Sequence, residues 1–305
     1  IDEYDKPLLD VLDTGFSTVV DGEKRLLEDH HRNILKGFYS VFKAADANLQ
    51  FVLLTGVTKF SQVSVFSGFN QPEDISMSRD YEALCGITEE ELYSYFAEPI
   101  AELAEDNDCS VNEMKQMLKK QYDGYHFGKR MTDIYNPFSI LNACKSCNID
   151  DYWFRSGTPS YLIRLLNHTQ ENLNELTGKY YDTSEFIDYK ADVEKPLPMI
   201  FQSGYLTVKG FDREMNTYLL DFPNNEVKKG FVTMVANDYL KVKDKAGSWA
   251  RDIVGALKTG DLEQFRELLT SFLADIPYSM RRKETERERE RYFHYTFYLL
   301  MRMVS

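Results

Sequence analysis

Apolar positions change their spacing several times along the chain. Between 23 and 45, Leu26, Leu27, Ile34, Leu35, Phe38 and Phe42 recur at intervals that place them on one face of a helix. The rhythm then breaks at 51–54, a continuous apolar run closed by Thr55-Gly56, which predicts a buried parallel strand feeding a loop. Helical signals dominate the middle. Thr88-x-x-Glu91 and Ser110-x-x-Glu113 each precede a long amphipathic stretch and match the capping box, in which side chain and backbone satisfy each other's free N–H groups. Pro99 falls inside the first stretch and predicts a kink or split, since proline has no N–H to donate. Asn136-Pro137 and Thr158-Pro159 predict two more helix starts with proline at the first helical position. Over 204–223 two β-rich runs flank a polar tract at 212–216, as in a hairpin. Helices over 225–242 and 261–274 follow, and from 281 a charged helix turns apolar toward residue 305.

Composition adds bounds to that picture. The 305 residues are 43% hydrophobic and 14% aromatic, ample for one large core or two smaller ones. A net charge of −13 argues against nonspecific adhesion to nucleic acid or anionic lipid through the whole surface, while a local basic groove stays possible. The sequence has no apolar run of the roughly 18 residues that a membrane span needs, and four cysteines supply no disulfide framework. Both point to a cytoplasmic protein with no membrane partner.

The candidate chemistry starts at residue 1. In IDEYDK an aliphatic residue runs straight into Asp2 and Glu3, the arrangement by which P-loop phosphoryl-transfer enzymes hold Mg²⁺ with one carboxylate and orient a water with the next. Alone this frame says little: 49 of 305 residues are acidic, so three acidic residues in a D-E-x-D frame arise about once by chance in such a chain. A second strand end, Thr55, follows about fifty residues on, where nucleoside triphosphatases place a small polar residue that senses the γ-phosphate. The phosphate-cradling G-x-x-x-x-G-K-S/T loop is absent; Gly124 to Gly128-Lys129-Arg130 has the wrong spacing. That loop precedes the Asp-Glu strand in such folds, so the absence and the abrupt start together read as a chain cut between them, catalytically dead as it stands.

The succession IDEYDKP (1–7), LTGVTKFS (54–61), VFSGFN (65–70), YDGYHF (122–127), YNPFSIL (135–141), YWFRSGTPSYLI (152–163), QSGYLT (202–207) and FPNNEV (222–227) resembles the bacterial AAA-ATPase-like family. Its members carry a P-loop domain and usually continue into a PD-(D/E)XK nuclease-superfamily domain. The resemblance implies α/β plus mostly α: an incomplete P-loop parallel sheet over 1–80, a helical and winged-helix-like region over 81–245, and helices over 246–305 leading into a truncated nuclease-like domain. It implies ATP and Mg²⁺ as cofactors, Asp2 as metal and cofactor ligand, Glu3 as catalytic base, and Thr55 as a catalytic and cofactor-binding sensor. Asp5 and Lys6 share the motif without an assigned role. Nucleic acid becomes a partner through the winged-helix-like and nuclease-like regions. The helix holding Glu286, Glu290, Tyr292 and His294 resembles the first helix of such nucleases, with Glu290 either the acidic residue that helps bind metal or a solvated charge on a helix face.

Other residues read more plainly. Cys144-x-x-Cys147 has half a zinc site's spacing and no second half, so it reads as two free thiols at a helix end. His30 and His31 read as solvent-facing, and His126 as a packed turn histidine. The aromatic motifs read as core packing with tied tyrosine hydroxyls, and Arg79, Arg155 and Arg164 as surface ion pairs with an arginine-finger alternative. Three readings remain open at this level: an ATP-hydrolysing module coupled to a nuclease-like domain, a noncatalytic recognition module switched by nucleotide, or an unrelated helical scaffold, which would require the opening strand to lie at a sheet edge far from 51–54.

Overall fold

A computed structural model describes residues 1–12, 14–59, 72–156, 162, 176–187, 196–240, 246–275 and 286–304. Its first element, α1 (Lys6–Leu9), buries Leu8 and Leu9. A hairpin follows, β1 (Ser17–Val20) against β2 (Glu23–Leu26), with Val20 opposite Glu23. Two residues make its turn, and both have positive φ, Asp21 at 52° and Gly22 at 82°, the mirror-image turn that suits the twist of a hairpin. The helix expected over 23–45 therefore begins late, as α2 (Leu27–Ala44), and Leu26 belongs to a strand. Its fully buried side chain is Tyr39, while Ile34 and Phe38 of the expected face are exposed.

The capping boxes form as the spacing predicts. Thr88, at the end of β3 (Ile87–Thr88), starts α3 (Glu89–Tyr95), its N–H donating to Glu91 Oε2 at 2.9 Å while its hydroxyl accepts from Glu91 N–H at 3.3 Å. Ser110 and Glu113 repeat the exchange, at 2.8 and 3.3 Å, to open α5 (Val111–Tyr122). Between them, α4 (Ala97–Asp106) carries Pro99 in its first turn, and the break falls at Phe96 because Pro99 cannot donate to the carbonyl of Tyr95. After β4 (Ile134–Tyr135), which pairs antiparallel with β3, Asn136 accepts from Ser139 N–H and starts α6 (Pro137–Ser146). Leu92, Ile100, Leu103, Met114, Leu118, Tyr122, Tyr135 and Ile140 form the core these helices share.

Next come α7 (Tyr152–Ser156), β5 (Lys179–Tyr181), α8 (Thr183–Phe186) and α9 (Leu197–Gln202), then the expected hairpin, β6 (Thr207–Asp212) and β7 (Thr217–Asp221). The sheet runs in the order β5-β7-β6, antiparallel throughout. Thr158-Pro159 lies outside the described residues.

The chain divides into two compact units: residues 1–152 with 157–224, and residues 153–156 with 225–305. The second is helical, with α10 (Asn225–Leu240), α11 (Ala246–Thr259), α12 (Leu262–Asp275) and α13 (Glu286–Val304). Trp249 packs on Phe272 at 4.5 Å and donates its indole N–H to Leu268 O, and Tyr239 meets Tyr295 edge-on. Trp153 N–H donates to the buried Glu226 at 2.6 Å, which ties the short 153–156 segment to α10.

The described residues thus form a mixed α/β, mostly helical chain with thirteen α-helices and three small antiparallel sheets. The parallel sheet expected at the start is not among them. Residues 51–54 join none of the three sheets, and Phe51 is 78% exposed, so the run expected to be a buried strand is half-covered: Val52 and Leu54 turn inward while Phe51 and Leu53 face out.

Candidate functional site: the corner of Asp2 and Thr55

Backbone bonds bring the two segments of interest together. The amino group of Ile1 donates to Leu53 O at 2.8 Å, and Thr55 N–H donates to Ile1 O at 2.9 Å. One residue bonded to both neighbours of its partner is the pattern of a parallel pair, here Ile1 beside Leu54. Tyr4 N–H then donates to Thr55 O at 2.9 Å and closes the corner.

That pairing sets Asp2 and Thr55 side by side. The Thr55 hydroxyl donates to Asp2 Oδ1, and Glu3 N–H donates to the same oxygen at 3.0 Å. Oδ2 of Asp2 makes no hydrogen bond among the described residues. Glu3 itself has φ of 49°, left-handed for a residue with a side chain, and it is exposed. Lys6 turns away to pair with Asp10.

Asp5 has a different fate from its two acidic neighbours. It is 0% exposed, and its Oδ2 accepts from Thr58 N–H. Burial raises its carboxyl above the usual aspartate range, opposed by that N–H. The Tyr4 hydroxyl donates to Thr58 O at 2.7 Å, and the Thr58 hydroxyl donates to Met199 Sδ at 3.0 Å. Glycine at 56 is required by this packing: a Cβ there would sit 2.5 Å from Asp5 Oδ1 and 2.7 Å from the Tyr4 ring. The sequence reading left Asp5 without a role. Nothing in DEYD distinguishes the aspartate that goes inside, though the Gly56 and Thr58 that receive it lie in the LTGVT block.

A second polar cluster surrounds His126. Its Nδ1 lies 2.7 Å from Val208 O and its Nε2 2.7 Å from Asp133 Oδ1, so the ring is held from both sides in a buried turn. Lys119 Nζ stands 3.2 Å from Glu89, 3.5 Å from Asp133 and 3.7 Å from Asp123. Partial burial of Asp133 opposes its ionisation, but the His126 bond and then Lys119 outweigh it and hold the carboxyl below the usual range. Burial raises the Asp123 carboxyl and lowers Lys209, whose ammonium donates to the carbonyls of Gly124 and Pro223, both at 2.8 Å. This is a cross-link between the YDGYHF turn and the hairpin, in line with the packed-histidine reading.

The remaining candidates are dispersed. Cys144 and Cys147 are free thiols at the end of α6. His30 and His31 are half-buried, not solvent-facing, because α2 lies along α1 and His31 Nδ1 sits 2.6 Å from Pro7 O. Arg79, Arg155, Glu290 and His294 are exposed. The side chains of Glu286 and Tyr292, and Arg164 as a whole, lie outside the described residues. No group of three or more His, Cys, Asp or Glu is placed to hold a metal among the described residues, and no helix there is long and apolar enough to cross a membrane.

Comparison with known proteins bears on the same corner. A family model described as "Predicted AAA-ATPase" matches residues 1–66. Over 300 residues the chain is 30% identical to an "Uncharacterized protein in vnfD 5'region" of Azotobacter chroococcum mcd 1, an alignment covering 98% of this chain and 54% of that protein. The chain thus spans about half the length of this relative. No solved structure matches.

Proposed function

We propose that Asp2, Glu3 and Thr55 form the Mg²⁺-nucleotide corner of an AAA-like ATPase. One observation carries the reading: the hydrogen bond from Thr55 to Asp2 joins residues 53 apart in sequence, next to the single parallel-type pairing of Ile1 with Leu54. Open α/β folds bind ligands beyond the carboxyl ends of parallel strands. The match of residues 1–66 to predicted AAA-ATPases supports it.

The donor set fits a magnesium ion bound with phosphates. Such an ion takes one or two carboxylates and fills its remaining positions with water and phosphate oxygens, so a cage of three protein ligands is not needed. Oδ1 of Asp2 is fixed by two donors, which leaves Oδ2 for the metal. Magnesium, when bound, neutralises charge on the β- and γ-phosphates. Glu3 orients and deprotonates the attacking water, with its backbone held by Asp2. Thr55 has one hydroxyl proton, so a phosphate oxygen in reach competes with Asp2 for it, and this competition is its sensing role.

In the whole protein this reading extends to coupling with a nuclease-like domain. The succession of α8, α9 and the β6–β7 hairpin supplies the helices and wing through which nucleic acid would be contacted.

The test is made on the protein as its gene encodes it. Asp2→Ala is expected to abolish Mg²⁺-dependent nucleotide binding, and Glu3→Gln to keep binding while hydrolysis falls at least a hundredfold. Binding without turnover in the unaltered protein would replace the enzyme with a nucleotide-switched recognition module. Undiminished Mg²⁺-dependent binding by Asp2→Ala would end both.

A further inference from the structure

We propose that Gln202 is a positioning residue that carries the state of the Thr55 loop to α8 and α9, and through them to the β5-β7-β6 sheet. The inference rests on the reading of Asp2, Glu3 and Thr55 as a nucleotide corner. Its structural basis is a side chain that bonds in two directions. Gln202 Oε1 accepts from Lys59 N–H at 2.6 Å, four residues beyond Thr55. Its Nε2 donates to the carbonyls of Ile187, at 2.5 Å, and Phe186, at 3.4 Å, at the C-terminal end of α8. A carboxamide accepts at its oxygen and donates at its nitrogen. A carboxylate would keep Lys59 and face two carbonyls, and a thioether would lose both.

The loop between Thr55 and Lys59 has little slack to absorb a shift. Thr58 is used at every polar atom: its N–H by Asp5, its carbonyl by Tyr4, its hydroxyl by Met199, which lies on the same helix as Gln202. Gly56 is packed against Asp5 and Tyr4. A displacement of Thr55 therefore breaks these bonds or moves α9. That helix cannot move alone, because Met199 and Ile200 are buried. Phe201 packs on Phe186 at 4.7 Å, and Phe186 packs on Tyr218 of β7 at 5.6 Å. Close-packed interiors pass on small shifts because they have no room to dissipate them. The presence or absence of a γ-phosphate at Thr55 supplies the differential contact that any such coupling requires.

The experiment is amide hydrogen exchange on the gene-encoded protein, with saturating Mg·ADP and Mg·adenylyl imidodiphosphate compared. In the unaltered protein, exchange over 183–187 and 197–206 is expected to differ at least threefold between the two nucleotides. Gln202→Met should bind both with Kd within threefold of the parent and lose that difference. Gln202→Glu, which keeps the Lys59 bond, should retain it at 197–202 and lose it at 183–187, a split that a merely structural role would not produce. Retention of the full difference in Gln202→Met, or a parent that binds both nucleotides with no difference over 183–206, overturns the inference alone. A parent that binds neither nucleotide overturns the reading of the corner and this inference with it.

Discussion

Glu3 sits in left-handed backbone, where a Cβ crowds the next carbonyl at about 1–2 kcal/mol. Glycine relieves that crowding and costs about 0.5–1 kcal/mol in chain entropy. Glu3→Gly is therefore expected to match the parent in thermal stability or exceed it by up to about 1 kcal/mol, while nucleotide turnover falls to background. A clear loss of stability by calorimetry would make the side chain structural. Asp5 obeys the opposite logic. Its carboxyl is raised by burial, so the protonated form favours the fold, and this contribution is lost as pH climbs from about 4 through the raised value. Asp5→Asn removes the titration, so its melting temperature relative to the parent should improve between pH 4 and pH 7; a pH-independent difference refutes the assignment. Gly56→Ala drives a methyl into the same buried carboxylate and is expected to cost about 1–3 kcal/mol in denaturant unfolding.

At the scale of elements, the most legible features were those made by residues three or four apart. Both capping boxes, the Asn136 cap and the β6–β7 hairpin stand where the spacing put them. Ser110→Ala is accordingly expected to destabilise the chain by about 1 kcal/mol in chemical denaturation, with protection lost first at the start of α5. Other elements were not read. The β1–β2 hairpin carries the Asp21-Gly22 turn signal, but Leu26 and Leu27 continue the helical spacing of α2 and hid the boundary. Helix α11 contains Gly247 and Gly255, which weaken its local preference; Trp249 and Ile253 are buried there and supply what propensity does not. Strand β5 is three residues long and pairs with β7 about forty residues later, so no local pattern could announce it.

For the whole molecule, the informative fact is that residues 153–156 belong to the second compact unit although residues 157–224 belong to the first. Gly230 is what admits them: a Cβ there would stand 2.3 Å from the Phe154 ring. Gly230→Val is expected to destabilise this unit by about 1–3 kcal/mol, with hydrogen-exchange protection lost chiefly over 225–304. Uniform loss along the chain, or none, would contradict the packing described. The net charge of −13 belongs to this scale too, and it leaves nucleic-acid contact to local surfaces of the kind proposed for the hairpin.

Residue order alone was enough for the two capping boxes, the Asn136 helix start and the β6–β7 hairpin, since each depends on neighbours a few positions away. Packing settled everything that depends on residues brought from afar. Asp2 and Asp5 are the same residue three positions apart; one faces solvent with Thr55, and the other is buried against Thr58. Gln202 reads as an ordinary polar residue until Lys59, 143 positions away, meets its carbonyl. Short-range hydrogen bonds are encoded by spacing, whereas the burial of a charge or an amide is decided by which distant surfaces close around it.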